Sequence, residues 1–133
     1  MSADRTLIAA AIAARGKAYA PYSKFLVGAV VKDEQGRIHA GCNVENAAYP
    51  QGTCAEAGAI AAMILAGGRK ITECAVVGQG DALVTPCGGC RQKLREFGAS
   101  DLLIHVCGED GTVRRSFTLD ELLPASFGPE NLA

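Results

Sequence analysis

The chain carries no surplus of either charge and no long apolar run, and each absence removes a class of protein. Thirteen basic residues stand against fourteen acidic ones, a formal charge of -1 with a pI near 6.1. That balance supplies none of the positive field by which proteins attract a phosphate backbone, so a nucleic-acid partner is not expected. The adjacent Arg114 and Arg115 read as a solvated turn and not as a binding surface. No stretch approaches the roughly 20 apolar residues that a membrane helix needs. Residues 7–14 are apolar, but they are mostly alanine and follow Asp4, where a signal peptide would carry a base. No membrane partner and a cytoplasmic setting are therefore expected, in which six cysteines serve as thiols or metal ligands and not as a disulfide framework. Histidine is scarce, and His39 and His105 both sit in strand-like segments, where they are not expected to touch a metal. Internal repeats are absent.

What remains is an ordinary globular composition, 49% hydrophobic and 20% charged over 133 residues, enough for one core and thus for a single domain over residues 1–133. Ser2 or Asp4 can cap a first helix that runs to about Tyr19, with Leu7, Ile8, Ile12 and Tyr19 near one face and Pro21 as its stop. Residues 25–32 and 37–44 are strand-like and flank Asp33-Glu34-Gln35-Gly36, which predicts a hairpin. A loop over 45–53 precedes an alanine-rich helix over 54–65 that ends at Gly67-Gly68. Residues 74–78 and 102–106 read as buried strands on either side of a helix over 88–97 closed by Gly98, and 120–123 as a short helical piece. Helices alternating with strands in this order indicate a layered α/β domain built on one mixed sheet. Ligands of such sheets bind beyond the carboxyl ends of strands, where following helices begin.

Pro86-Cys87-Gly88-Gly89-Cys90 is the strongest motif, because a three-residue separation puts both sulfurs on one side of a first helical turn. Alone, a Cys-x-x-Cys leaves zinc, a thioredoxin-like redox pair and chance all open. Thr53-Cys54-Ala55-Glu56 adds a third cysteine at another helix start, with a carboxylate two residues on. Three thiolates leave one tetrahedral position of a zinc ion for water, unlike a closed four-ligand structural site. The positive ends of two helices favour thiolates at those positions. Such a site offers hydroxide at neutral pH, and an unligated Glu56 can carry protons to a ring nitrogen and a leaving amine. The plainer reading of Glu56 is a first-turn glutamate that complements the helix dipole.

These residues belong to a wider pattern. Pro21-Tyr22-Ser23-Lys24-Phe25, Gly41-Cys42-Asn43-Val44-Glu45-Asn46, Cys54-Ala55-Glu56, Pro86-Cys87-Gly88-Gly89-Cys90-Arg91-Gln92, Leu122-Leu123-Pro124 and Phe127-Gly128-Pro129 together resemble the short, single-domain, three-cysteine branch of the cytidine deaminase family. The resemblance implies a three-layer α/β/α sandwich with a single mixed five-stranded sheet. It implies one Zn2+ per chain on Cys54, Cys87 and Cys90, Glu56 as proton shuttle, and hydrolytic deamination of free cytidine, with deoxycytidine, in pyrimidine salvage. It places Asn43 and Glu45 on the ribose hydroxyls, Phe25 against the pyrimidine and Ala55 at the substrate. Phe127, and Tyr49 with it, would reach a neighbouring subunit's site in a homotetramer. Without the resemblance, Asn43 and Glu45 would read as a polar strand end and Phe25 as core.

One position departs from that branch, which often has arginine after the motif glutamate; here it is Ala57. Zinc with three thiolates and hydroxide totals -2, and a guanidinium at about 4 Å would be worth about 4 kcal/mol at an effective dielectric near 20. Arg91, beside Cys90, is the candidate to bond a ligand sulfur instead; a surface-facing helical arginine is the alternative. Three other readings compete: a zinc-stabilised binding module without catalysis, a redox protein using Cys87 and Cys90, and a deaminase of a modified or antibiotic cytosine nucleoside or of a base in nucleic acid. Cys42, Cys74 and Cys107 read as small buried hydrophobes.

Overall fold

The computed structural model describes residues 3–133. Asp4 caps α1 (Arg5–Arg15) by accepting from the Thr6 N–H at 2.9 Å; Ser2, the other candidate cap, lies outside the described residues. The helix ends at Gly16, earlier than Pro21 suggested. Tyr19 is not on its face: the Tyr19 N–H donates to Asn43 O at 3.0 Å and its carbonyl accepts from Glu45 N at 2.9 Å. Loop pairing, and not the proline, decides where the chain leaves the helix.

Five strands follow: β1 (Gly28–Asp33), β2 (Ile38–Cys42), β3 (Ile71–Val77), β4 (Gly98–Cys107) and β5 (Val113–Thr118). They form one sheet in the order β2-β1-β3-β4-β5, parallel between β3 and β4 and antiparallel elsewhere. Sequence pattern alone did not place β5, and its arginines are not in a turn. Arg114 donates to the carbonyls of Gly80 and Ala82 at 2.7 and 3.1 Å, and the Arg115 guanidinium lies 4.4 Å from the Phe117 ring centroid.

Period-two alternation splits the core. Val30, Ala75, Val77 and Cys107 face Leu7, Ile8 and Ala11 of α1. Ala29, Val31, Cys74, Val76, Ile104 and Val106 face the opposite layer, made by α2 (Ala55–Leu65), α3 (Gly88–Phe97) and α4 (Leu119–Leu122). The result is the expected three-layer sandwich. Two glycines let helices ride close to the sheet: a Cβ on Gly28 would lie 2.2 Å from Ala11 O, and one on Gly41 would lie 2.3 Å from Ala55 O. Because β1 runs antiparallel to both β2 and β3, the carboxyl ends of β2 and β3 share one edge of the sheet, and α2 and α3 start from that edge.

Candidate active site

Cys54 is the N-cap of α2 and Cys87 the N-cap of α3, with Cys90 one turn further on. The Val44–Thr53 bridge pins the loop between them, with N–H to O distances of 3.0 and 2.9 Å, so Cys54 follows directly from a paired residue. The three Sγ atoms lie within 4.8 Å of one another, the one such cluster of His, Cys, Asp and Glu ligand atoms among the described residues. Cys54 Sγ and Cys87 Sγ are 3.7 Å apart. Two sulfurs at about 2.3 Å from a tetrahedral zinc would be about 3.8 Å apart, so the donor set fits the ion. Both histidines are committed elsewhere. His39 Nε2 meets Asp33 at 2.9 Å, and His105 lies between Glu73 and Ser116 at 2.6 Å from each.

Burial is the main cause that raises the Cys54 and Cys90 thiols above their ordinary value; for Cys90 the negative neighbours Glu56 and Cys54 add to it. Cys87 shifts the other way: burial opposes ionisation, but bonds from the Cys90 backbone N–H and from the Cys90 and Cys54 thiols outweigh it. Glu56 is 4% exposed, and burial raises its carboxyl above the ordinary glutamate value against its own N–H and the Cys90 thiol. A carboxyl buried beside three sulfurs is not the exposed, dipole-complementing glutamate of the plainer reading.

A cavity of about 370 Å³ opens at this cluster, a volume suited to a small ligand. It brings together Cys54, Ala55, Glu56 and Cys87 with Phe25, Asn43, Glu45 and Tyr49. Phe25 is 36% exposed and is not a core residue. Tyr49 stands at the mouth of its own chain's cavity, 5.8 Å from the Tyr22 ring centroid. Phe127 is absent from the lining; it is 58% exposed, and its carbonyl accepts from Gln92 Nε2 at 2.9 Å. Sequence reasoning missed Val27, Thr53, Val84 and Thr85 in the wall. Val84 arrives because the loop after β3 folds back over Gly78, where a Cβ would meet Val84 at 2.5 Å.

Two polar side chains prove to be tied to backbone. Asn43 accepts from Val27 N–H at 2.9 Å and donates to Phe25 O at 2.8 Å. Glu45 accepts from the N–H groups of Tyr22 and Ser23 at 3.0 and 3.1 Å and from the Ser23 hydroxyl. Those bonds, Ser23 foremost, hold its carboxyl below the ordinary value. Arg91 does not take up the expected bond to sulfur. It donates to Pro86 O at 2.7 Å, Leu122 O at 2.8 Å and Thr85 Oγ1 at 3.0 Å, bracing the loop that delivers Cys87 against α4. With Ala57 unable to donate, the positive ends of α2 and α3 are the compensation visible at the sulfurs. Of the other cysteines Cys74 and Cys107 are buried as expected, whereas Cys42 is only half-buried.

Residues 1–106 match the model of the cytidine and deoxycytidylate deaminase zinc-binding region. Cytidine deaminase of Sporosarcina psychrophila is 40% identical over 127 residues, spanning 96% of this chain and 93% of that one. Its counterpart in Mycobacterium tuberculosis strain CDC 1551 / Oshkosh is 43% identical over 115 residues, 86% of this chain and 82% of that protein. The crystal structure of cytidine deaminase from Burkholderia pseudomallei superposes with a TM-score of 0.87 at 42% identity, covering 95% of this chain and all of that one. Matches of this extent, meeting a sulfur cluster and buried glutamate at the edge where α2 and α3 begin, place the chain in the cytidine deaminase family.

Proposed function

We propose that the chain hydrolyses free cytidine, and deoxycytidine, to the corresponding uracil nucleoside and ammonia, with one zinc ion held by Cys54, Cys87 and Cys90. The observation that carries this reading is the placement of buried Glu56 beside the three sulfurs on the wall of a nucleoside-sized cavity. Bound zinc would supply Lewis acidity, which lowers the pKa of water from about 15.7 toward 7.

The chain's own residues do the rest. Glu56 takes a proton from the attacking water and delivers it to N3 of the pyrimidine, which makes C4 electrophilic as its bond to oxygen forms. The same carboxylate then takes the remaining hydroxyl proton and passes it to the amino nitrogen. The C4–N bond breaks, ammonia leaves, and the carbonyl of uracil remains with N3 protonated. Burial shifts the Glu56 carboxyl upward from the ordinary glutamate value, the direction that favours a group which must both take and give a proton. Phe25 packs on the base, Ala55 borders it, and the unused lone pairs and N–H of Asn43 and Glu45 address the sugar hydroxyls. A lining that carries Glu45 and Glu56 but no basic side chain, with the formal charge of -1, favours a free nucleoside over a polynucleotide. A cytoplasmic homotetramer serving pyrimidine salvage is part of the same reading. Exposed Tyr49, Phe127 and Leu132 are the side chains a neighbouring subunit would cover or share.

The test is a zinc assay combined with the ultraviolet change on converting cytidine to uridine, applied to wild type and to Glu56→Gln. The variant is expected to keep zinc and lose about 10²–10⁴ in rate. Near-normal turnover by it removes Glu56 from the mechanism, and zinc-loaded wild type that releases no ammonia removes the enzyme.

A further inference from the structure

Residues 22–27, which present Phe25, are not part of the sheet, because β1 begins only at Gly28. This strap leaves a turn over residues 21–23 through Lys24, whose φ of 61° is in the left-handed region that a lysine seldom occupies, and then runs on to β1. Backbone partners hold only its flanks, where Lys24 N–H donates to Ala20 O at 3.0 Å and Val27 O accepts from Asn43 N–H at 3.2 Å. The backbone groups around Phe25 are met by side chains, and they are met from two sides. In extended chain, successive residues direct their N–H and C=O groups to opposite sides. Phe25 O and Val27 N–H go to the Asn43 amide. Lys24 O and Leu26 N–H go to Gln79, whose Nε2 donates at 3.1 Å and whose Oε1 accepts at 3.0 Å. Two side-chain amides thus flank the strap, and Phe25 lies between them.

The Gln79 amide has one permitted orientation. Its Oε1 receives Arg15 Nη2 at 3.1 Å as well as Leu26 N–H, both obligate donors, while its nitrogen faces a carbonyl. Arg15 also donates to Leu26 O at 3.2 Å and pairs with Glu109 at 3.3 Å, so the bracket is anchored to α1 and to the loop after β4. Gln79 itself does not line the cavity.

We infer that Gln79 is a positioning residue for the nucleobase, holding the Phe25 strap at the distance from Glu56 and the sulfurs at which the pyrimidine fits between them. This rests on the proposed cytidine reaction. Because Phe25 packs on substrate and transition state alike, loosening it weakens binding and leaves the chemical step intact.

The experiment compares Gln79→Met, which keeps the side chain's length and loses all three bonds, with Gln79→Glu, which keeps the acceptor for Leu26 N–H and Arg15. For Gln79→Met, KM for cytidine and Kd for uridine are each expected to rise about tenfold with kcat within about twofold of wild type, and Gln79→Glu to recover only part of the loss, because its second oxygen meets the Lys24 carbonyl. In a Phe25→Ala background, Gln79→Met should change KM no further, since a residue that acts through Phe25 has nothing left to position. A Gln79→Met enzyme of lowered melting temperature but unaltered KM and uridine binding would make the residue merely structural and overturn the inference. So would an additive effect in the Phe25→Ala background. Failure of the underlying reading looks different: wild type would not turn over cytidine, or Phe25→Ala alone would leave KM and uridine binding unchanged.

Discussion

Gly41→Ala tests whether the proposed zinc ligands and the proposed proton shuttle depend on how closely α2 lies on the sheet. A Cβ at this position would sit 2.3 Å from Ala55 O, 2.4 Å from Ala59 N and 2.8 Å from Gly58 C, all backbone of the first turns of α2. None of these atoms belongs to a side chain that could rotate away. Ordinary contacts of a Cβ begin near 3.4 Å, so the helix start must retreat by about 1 Å, an overpacking that costs about 1–3 kcal/mol in a close-packed interior. That end of α2 carries Cys54 at its cap and Glu56 in its first turn. A retreat of that size spoils the 3.7 Å Cys54–Cys87 separation that suits tetrahedral zinc. Misplacing reacting groups by about 1 Å costs on the order of 10²-fold in rate. The variant is therefore expected to show a lowered melting temperature, weaker zinc retention against a chelator and roughly 100-fold lower kcat/KM for cytidine. Gly16→Ala is the control. Its Cβ would meet only Ala13 O at 3.5 Å, and its φ of -62° is ordinary for alanine, so it should leave all three quantities at or slightly above wild type. Gly41→Ala with wild-type zinc affinity and turnover would refute the link between helix approach and site geometry.

Arg91→Ala frees the Pro86 carbonyl and the Thr85 hydroxyl beside Cys87; a chelator titration is expected to find zinc affinity reduced about 10–100-fold. Arg91→Lys should rescue little, since an ammonium cannot reproduce the fork that meets Pro86, Thr85 and Leu122 together. Asp33→Asn probes acid stability. Burial opposes ionisation of Asp33, but bonds from His39, the Arg37 and Gln35 backbone and the Arg37 side chain hold its carboxyl well below the ordinary 3.8. A carboxylate depressed by folding stabilises fully above its unfolded pKa and loses that share as pH falls through the folded value. The variant should thus melt lower than wild type at neutral pH, with the gap closing below pH ~4. A constant gap across that range would show that the bonds at Asp33 do not depend on its charge.

The parts of this molecule that were legible in its sequence are those where one chemistry dictates one residue type. Cysteines at metal-ligand spacing stand out and glycine closes a helix, so the cluster of Cys54, Cys87 and Cys90 and the extents of α2 and α3 were readable with nearly the observed bounds. The resemblance supplied the fifth strand. Pattern could not, because Arg114 and Arg115 interrupt any apolar alternation, and it is the guanidinium contacts to Gly80, Ala82 and Phe117 that settle them on an edge strand. Asn43, Glu45, Gln79 and Arg91 mark the harder limit. An amide, carboxylate or guanidinium announces a hydrogen bond without saying whether its partner is a ligand, a sulfur or the chain's own backbone. Here the backbone takes much of that capacity: Asn43 spends an acceptor and a donor on the strap that holds Phe25, and Glu45 takes two N–H groups from the same segment. A substitution at either position should therefore disturb base and sugar together. Replacing Asn43 by Ala would raise KM for cytidine by more than the sugar contacts alone account for, and the excess should shrink once Phe25 is already alanine. Equal effects in both backgrounds would separate the two halves of the cavity that this hydrogen-bonding pattern joins.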